Sequence, residues 1–258
     1  LAKGLAERGA SVWILARDLE KMQVALSEIE AHRAGTDQSF GCFQVDVQED
    51  RQVSEGIAQF MQRQGTPDIL INSAGIAHPG YFEELPLEVF QRQMAVNYLG
   101  TVYATRAVVP QMLARGSGII VNISSMAGFL GLFGYSAYGP SKYAVRGFSD
   151  SIRAELKPKG IKVCVVYPPD TDTPQLAYEN QYKPIETAIV DATSKTVGPE
   201  VVAQAILKGV ARGQYSIFPS LDGKLFYRLS GFLGDGTNWV MDRMIADAMK
   251  KARLQKRA

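Results

Sequence analysis

In the stretch AYGPSK, Tyr138 and Lys142 stand four residues apart, straddling a Gly-Pro pair. A free tyrosine releases its phenolic proton only near pH ~10, so it is a poor acid–base group at neutrality. An ammonium close by favours the phenolate and brings that value toward the operating pH. Four residues make about one helical turn, so the two side chains lie on one side of any helix that contains them. Pro140 suits the opening of such a helix, because its fixed φ fits a first turn and its missing N–H costs nothing there. Beyond it, Tyr143, Ala144, Phe148, Ile152 and Leu156 recur close to helical spacing. The spacing predicts a helix opening at Pro140 with an acid–base pair at its start.

Such a pair needs other elements to bring it a ligand. The runs 11–16, 40–45, 68–72, 118–124, 162–167 and 215–218 are short, apolar and bounded by polar or turn residues, as buried parallel strands are. Amphipathic helical patterns lie between them, including 18–31, 49–64, 86–113 and 199–212. This alternation predicts an α/β fold, a single Rossmann-type doubly wound parallel sheet with helices on both faces. In such sheets the ligand binds beyond the carboxyl ends of the strands. Ala16-Arg17, Asp46, Asn72-Ser73-Ala74-Gly75, Ser124-Ser125 and Pro168-Pro169-Asp170 each fall at or just past a different strand end. Five polar or turn clusters along one edge mark a binding site.

The 258 residues, 46% of them hydrophobic, can bury the core of a single domain. A net charge of +2, with acids and bases interspersed, offers no footprint for nucleic acid. Cys42 and Cys164 sit in apolar runs and read as small core residues of a reducing, cytoplasmic setting. His32 and His78 have no ligand spacing around them, which argues against a zinc site or a serine–histidine triad. No apolar run reaches the roughly 18–20 residues that span a bilayer.

NSAG (72–75), NYLG (97–100), ISSMAG (123–128) and the Tyr138/Lys142 pair, in this order, resemble the motifs of the short-chain dehydrogenase/reductase family over nearly the whole chain. Ser73 stands where that family usually has a second asparagine. The resemblance implies Asn97, Ser125, Tyr138 and Lys142 as catalytic residues, with Ser124 a competitor for the serine role. Tyr138 would protonate a ketone oxygen as hydride reaches carbon, and Ser125 would hydrogen-bond the developing alkoxide. Asn97 would hold a water that links Lys142 to solvent. For the cofactor it implies Arg17, Asp46, Asn72, Ala74, Gly75, Tyr138, Lys142, Pro168 and Thr171. Ala16-Arg17 at a strand end, with no acid there, favours a 2′-phosphate and hence NADPH. The family's first strand and glycine-rich loop are expected upstream of Leu1, since LAKGLAERGA reads as the later part of the helix that follows them.

YPPDTDTP (167–174) and GLFGYSAYGPSKYAVRGFSD (131–150) are similar to one subgroup, the 3-ketodihydrosphingosine reductases, though Pro169 replaces a glycine of the wider family. That similarity implies a lipid-like ketone substrate reduced to sphinganine. A steroid, retinoid or 3-oxoacyl ketone is the alternative, and a non-catalytic nucleotide binder a more distant one. Residues 170–197 form the expected lid. Residues 220–258 read as a C-terminal helical extension whose apolar clusters and basic end suit either peripheral membrane contact or a homo-oligomer interface.

Overall fold

A computed structural model describes residues 1–192 and 195–255. The strands are β1 (Val12–Ala16), β2 (Phe40–Gln44), β3 (Ile69–Asn72), β4 (Gly118–Ile123), β5 (Ile161–Val166) and β6 (Ser216–Ile217). The helices before the site are α1 (Ala2–Ala6), α2 (Leu19–Glu30), α3 (Asp50–Gln64), α4 (Leu87–Gln93) and α5 (Gly100–Arg115). A wider π turn, Met94–Leu99, joins α4 to α5 without a break. Then come α6 (Tyr138–Leu156), α7 (Pro174–Glu179), α8 (Ile185–Asp191), α9 (Pro199–Ala211), α10 (Leu221–Leu233) and α11 (Gly236–Gln255).

Every strand pair is parallel, in register Ile14 with Cys42, Ile71 with Val121 and Val121 with Cys164. The expected single sheet is seen in two pieces, β1-β2 and β3-β4-β5-β6. A strand pairs only with a neighbour about 4.7–4.9 Å away, and among the described residues no pairing joins the two pieces.

Alternate residues of β4 and β5 point to opposite faces, and each face has its own core. Ile120 and Val163 pack with Val53 and Ile57 of α3, Val108 and Met112 of α5, and Leu156 of α6. Val121, Cys164 and Val166 pack with Ile206 of α9 and Ile217 of β6. Each such fully buried aliphatic side chain contributes about 1.5–3 kcal/mol, which is why these runs carry almost no polar residue. Cys164 lies in this core, whereas Cys42 is only half-buried because β2 is an edge strand. At the end of β5, Phe129, Leu130, Val165 and Tyr167 form a third cluster closed by Tyr227 of α10. α11 packs along α8, so the C-terminal segment is joined to the region expected to be the lid. Among the described residues no helix is long and apolar enough to cross a membrane.

Candidate active site

α6 begins at Tyr138, two residues earlier than the proline suggests. Pro140 still falls in the first turn, where its missing N–H breaks no helical hydrogen bond. Tyr138 and Lys142 therefore sit one turn apart at the helix start, beside the ends of β4 and β5. They line a cleft of about 180 Å³ together with Ser125, Gly75, Pro168 and Thr171. Of the residues expected at the site, Ser125, Tyr138, Lys142, Gly75, Pro168 and Thr171 are thus brought together.

Ser124 and Ser125 divide their tasks. The Ser124 hydroxyl is buried and donates to the Lys142 carbonyl oxygen at 2.9 Å, tying the end of β4 to α6. Gly128 has to be glycine for this, since a Cβ there would stand 2.3 Å from the Ser124 Oγ. Both serines line the cleft, but the Ser125 hydroxyl is the one that acts on the Tyr138 phenol, and it also accepts from the Ala127 N–H at 3.1 Å.

The electrostatics differ from the sequence expectation. Burial pushes the Tyr138 phenol above its ordinary value, and the Glu179 carboxylate adds to this, against the opposing hydrogen bond from Ser125. The Lys142 ammonium lies 5.6 Å from the Tyr138 ring centre and donates to the Ile123 carbonyl oxygen at 2.9 Å. Burial lowers its own value to about 8. The physical reason is desolvation, which disfavours the charged form of both groups. A phenol so held keeps its proton, which suits a donor more than a base.

Asn97 sits in the π turn, a local widening that often marks functional positions. Its Oδ1 accepts from the Ile76 N–H at 2.8 Å, and its Nδ2 donates to the Ile76 carbonyl and to Ser141 Oγ, each at 2.9 Å. Both amide hydrogens are thereby used, so the side chain clamps the loop after β3 to α6. A water beside it has only the second lone pair of Oδ1 to bind. Asn72 is turned inward as well, its Nδ2 donating to Thr105 Oγ1 at 3.1 Å and to Asn122 Oδ1 at 2.8 Å. Asn122 passes the chain on to Ser149 Oγ at 2.8 Å. Sequence reading missed this buried Thr105–Asn72–Asn122–Ser149 network, although an asparagine inside the apolar run GIIVNIS was a usable signal.

The cofactor side is looser. Arg17 follows β1 half-exposed, and its Nη1 lies 3.8 Å from Asp46 Oδ2 across the β1–β2 edge. Ala74 follows Ser73 and precedes Gly75 in the loop beyond β3. A Cβ on Gly75 would lie 3.3 Å from Lys142 Nζ and 3.4 Å from Asn97 Oδ1, so glycine leaves the floor of this edge open to a flat ligand. Lys142 spends one of its three donors on Ile123 and keeps the rest for that space.

Three further features escaped the sequence. Glu179, at the end of α7, is buried in the cleft wall and accepts from Tyr135 Oη at 2.7 Å and Gln175 Nε2 at 2.9 Å. Lys183 bridges Asp170 at 3.4 Å and Asp191 at 2.7 Å. His78 meets Tyr178 Oη at 2.7 Å, and its ring centre lies 4.7 Å from that of Tyr182, the planes tilted by 49°. These residues come from segments up to a hundred positions apart, and nothing in their local pattern sets them apart.

This arrangement sets a phenol that keeps its proton, a serine hydroxyl and an ammonium in one desolvated cleft, which can protonate an oxygen placed there. Residues 1–184 match the short chain dehydrogenase family model. The chain is 42% identical over 225 residues to a 3-ketodihydrosphingosine reductase of Bos taurus, covering 87% of this chain and 68% of that protein. It is 40% identical over 239 residues to a 3-ketodihydrosphingosine reductase of Dictyostelium discoideum, covering 88% and 72%. Its fold superimposes with a TM-score of 0.74 on a short-chain dehydrogenase of Sphingobium yanoikuyae in complex with NADPH, at 25% identity, covering 91% of this chain and 89% of that one. The chain belongs to the short-chain dehydrogenase family and is an oxidoreductase.

Proposed function

We propose that the chain reduces the 3-keto group of 3-ketodihydrosphingosine to sphinganine with NADPH. The observation that carries this reading is its 40–42% identity, over most of its length, to relatives that bear that name. The residues present fit the cofactor. Arg17 offers a half-exposed guanidinium for a 2′-phosphate, Asp46 and the Ala74-Gly75 loop offer an adenine-side rim and an open floor, and Lys142 offers free ammonium protons. Bound there, NADPH would supply a hydride to the ketone carbon.

The chain's own residues do the rest. Tyr138 holds a proton on its phenol oxygen and delivers it to the ketone oxygen as charge grows there. Ser125 keeps that phenol oriented and donates to the same oxygen, a stabilisation available only in the transition state. Lys142 favours the phenolate that Tyr138 becomes, and Ser124 and Asn97 fix the helix start on which both reacting side chains stand.

A lipid substrate resides in a bilayer, and α10 leaves Leu221, Leu225, Leu229 and Phe232 exposed, with Lys224 and Arg228 between them. Trp239 of α11 is exposed as well. Apolar side chains interspersed with bases suit reversible attachment to an anionic membrane surface. Lys256 and Arg257, part of the basic end noted in the sequence, lie outside the described residues.

The test is NADPH consumption with 3-ketodihydrosphingosine, steroid, retinoid and 3-oxoacyl ketones in one panel, with and without anionic vesicles. Preference for the sphingoid ketone and acceleration by vesicles support the reading. Preference for another ketone overturns the substrate, and dimer formation through α10 without vesicle binding overturns the membrane contact.

A further inference from the structure

Glu179 is only 7% exposed, yet it faces the reaction cleft and no step above uses it. Taking a carboxylate out of water costs several kcal/mol unless a cation or strong donors compensate. Its two observed partners, Tyr135 and Gln175, are neutral. Lys183 is committed to Asp170 and Asp191, and among the described residues no cation lies within ion-pair distance of Glu179. Burial accordingly raises its carboxyl above the ordinary range, although the hydrogen bonds from Gln175 and Tyr135, and Lys183 at longer range, oppose this. The cleft wall thus carries a buried carboxyl with no direct ion-pair partner among the described residues, Lys142 and Lys183 acting on it only at longer range.

The position of this charge is as informative as its sign. The Tyr135 ring, which holds one Glu179 oxygen, lies 5.7 Å from the Tyr138 ring. The carboxylate acts on Tyr138 and on Lys142 from there. It therefore stands within one side chain of the reacting oxygen. Phosphate groups would be repelled by it, so its partner belongs to the substrate side of the cleft.

We propose that Glu179 is the receptor for an ammonium group on the carbon next to the ketone, and so selects amino ketones over plain ketones. This rests on the sphingoid reading of the substrate, in which a 2-amino group adjoins the 3-keto group. Charge-assisted hydrogen bonding of this kind is worth about ten- to a hundredfold in affinity.

The experiment compares kcat/KM for 3-ketodihydrosphingosine and for its 2-deamino analogue of the same chain length. Glu179→Gln keeps the shape and can still accept from Tyr135. It should lower the amine-to-deamino ratio by about ten- to a hundredfold. Equal losses on both substrates would mean that Glu179 only braces α7, and the proposal would fall. Tyr135→Phe removes a neutral donor and leaves the charge, so the ratio should survive in that variant. Its collapse there, with the ratio intact in Glu179→Gln, would also overturn the proposal.

Calorimetric binding of sphinganine and N-acetylsphinganine provides a readout apart from turnover. The wild type should favour the free amine, and Glu179→Gln should bind the two alike. Selective amine binding that depends on Glu179, in a protein that reduces no sphingoid ketone, would sink the substrate reading and keep the amine receptor. Turnover of the sphingoid ketone with a ratio indifferent to Glu179 would do the reverse, as would a loss of NADPH affinity alone.

Discussion

β4 and β5 bury nearly every residue, with Lys162 the one exposed position on β5, whereas β1 leaves Ala16 exposed and Ile14 and Leu15 half-buried. The two regions share one ligand edge. On the β4–β5 side, Ser125, Tyr138 and Lys142 stand on elements tied by buried hydrogen bonds through Ser124, Asn97, Ser141 and Asn122. On the β1–β2 side, Arg17 and Asp46 meet across solvent at 3.8 Å. Proton transfer tolerates little misplacement, so its residues are pre-set by packing. Recognition of a charged group tolerates more, because long-range attraction and a flexible side chain can find it. Changes in the first region should therefore touch rate and stability together, while changes in the second should touch one ligand only.

The largest expected effect lies in the first region. Tyr138→Phe should reduce turnover by roughly 10²–10⁴-fold, the loss of a general acid, with little change in cofactor affinity by direct titration. Turnover close to wild type would remove Tyr138 from the reaction and leave the comparison without its catalytic half.

Lys142 supplies a pH test of the same region. Burial lowers its value in the folded chain from 10.5 to about 8. Above pH ~8 the folded chain has lost a proton that the unfolded chain still holds, so the unfolded state binds more protons and stability rises with pH. The gain is on the order of 3 kcal/mol at about 1.36 kcal/mol per unit, spread between about pH 8 and 10. Beyond that the buried tyrosines act in the opposite sense, since burial raises Tyr138 and the folded state retains its proton longer. Urea midpoints of the ligand-free protein should climb across this window, and Lys142→Met should flatten the climb. A slope unchanged in Lys142→Met would show that the ammonium is better solvated than its position implies.

How much of this could be read beforehand also divides along the two regions. The strands were visible because a parallel strand buried on both faces, such as IIV or VCVV, has almost no polar residue to confuse the pattern. Tyr138 and Lys142 stood out because four residues separate them at a helix start, whereas Ser125 was singled out over Ser124 only by the family resemblance. The start of α6 was misjudged by two residues, since proline tolerates any place in a first turn. Glu179, Tyr135 and His78 were not visible, because long-range packing alone decides that they meet. The same holds for Asn72, whose strand-end place and family resemblance suggested a ligand contact while its amide serves Thr105 and Asn122. The direction of the Tyr138 shift was hidden too, because sequence shows the charge nearby but not the burial that outweighs it.

In the second region, Arg17→Ala should weaken NADPH by about ten- to a hundredfold, as expected for a lost arginine–phosphate contact. NADH, which lacks the 2′-phosphate, should bind nearly as before. Fluorescence titration with both cofactors decides it, and equal losses would make Arg17 a structural partner of Asp46. Its thermal midpoint should stay close to wild type, since an exposed pair of this kind contributes at most about 1 kcal/mol.

Asn122→Ala sharpens the contrast from the other side, and its effect on stability is the smaller of the main effects. Asn122 does not line the cleft. Its Oδ1 accepts from Asn72 and its Nδ2 donates to Ser149, so truncation deprives two buried groups of a partner at once. Asn72 keeps Thr105, and Ser149 keeps the Val145 carbonyl, so neither group is wholly orphaned. The cost should then be about 1–3 kcal/mol. In a chain of this size that lowers the thermal midpoint by roughly 2–4 °C per kcal/mol. Because Asn72 ends β3 and Ser149 lies on α6, the slack should reach Tyr138 and lower turnover in step with stability, with the NADPH-to-NADH preference unchanged. A variant that loses stability and keeps full turnover would show that the network holds the fold alone. A variant that changes cofactor preference would show that the two regions are not independent after all.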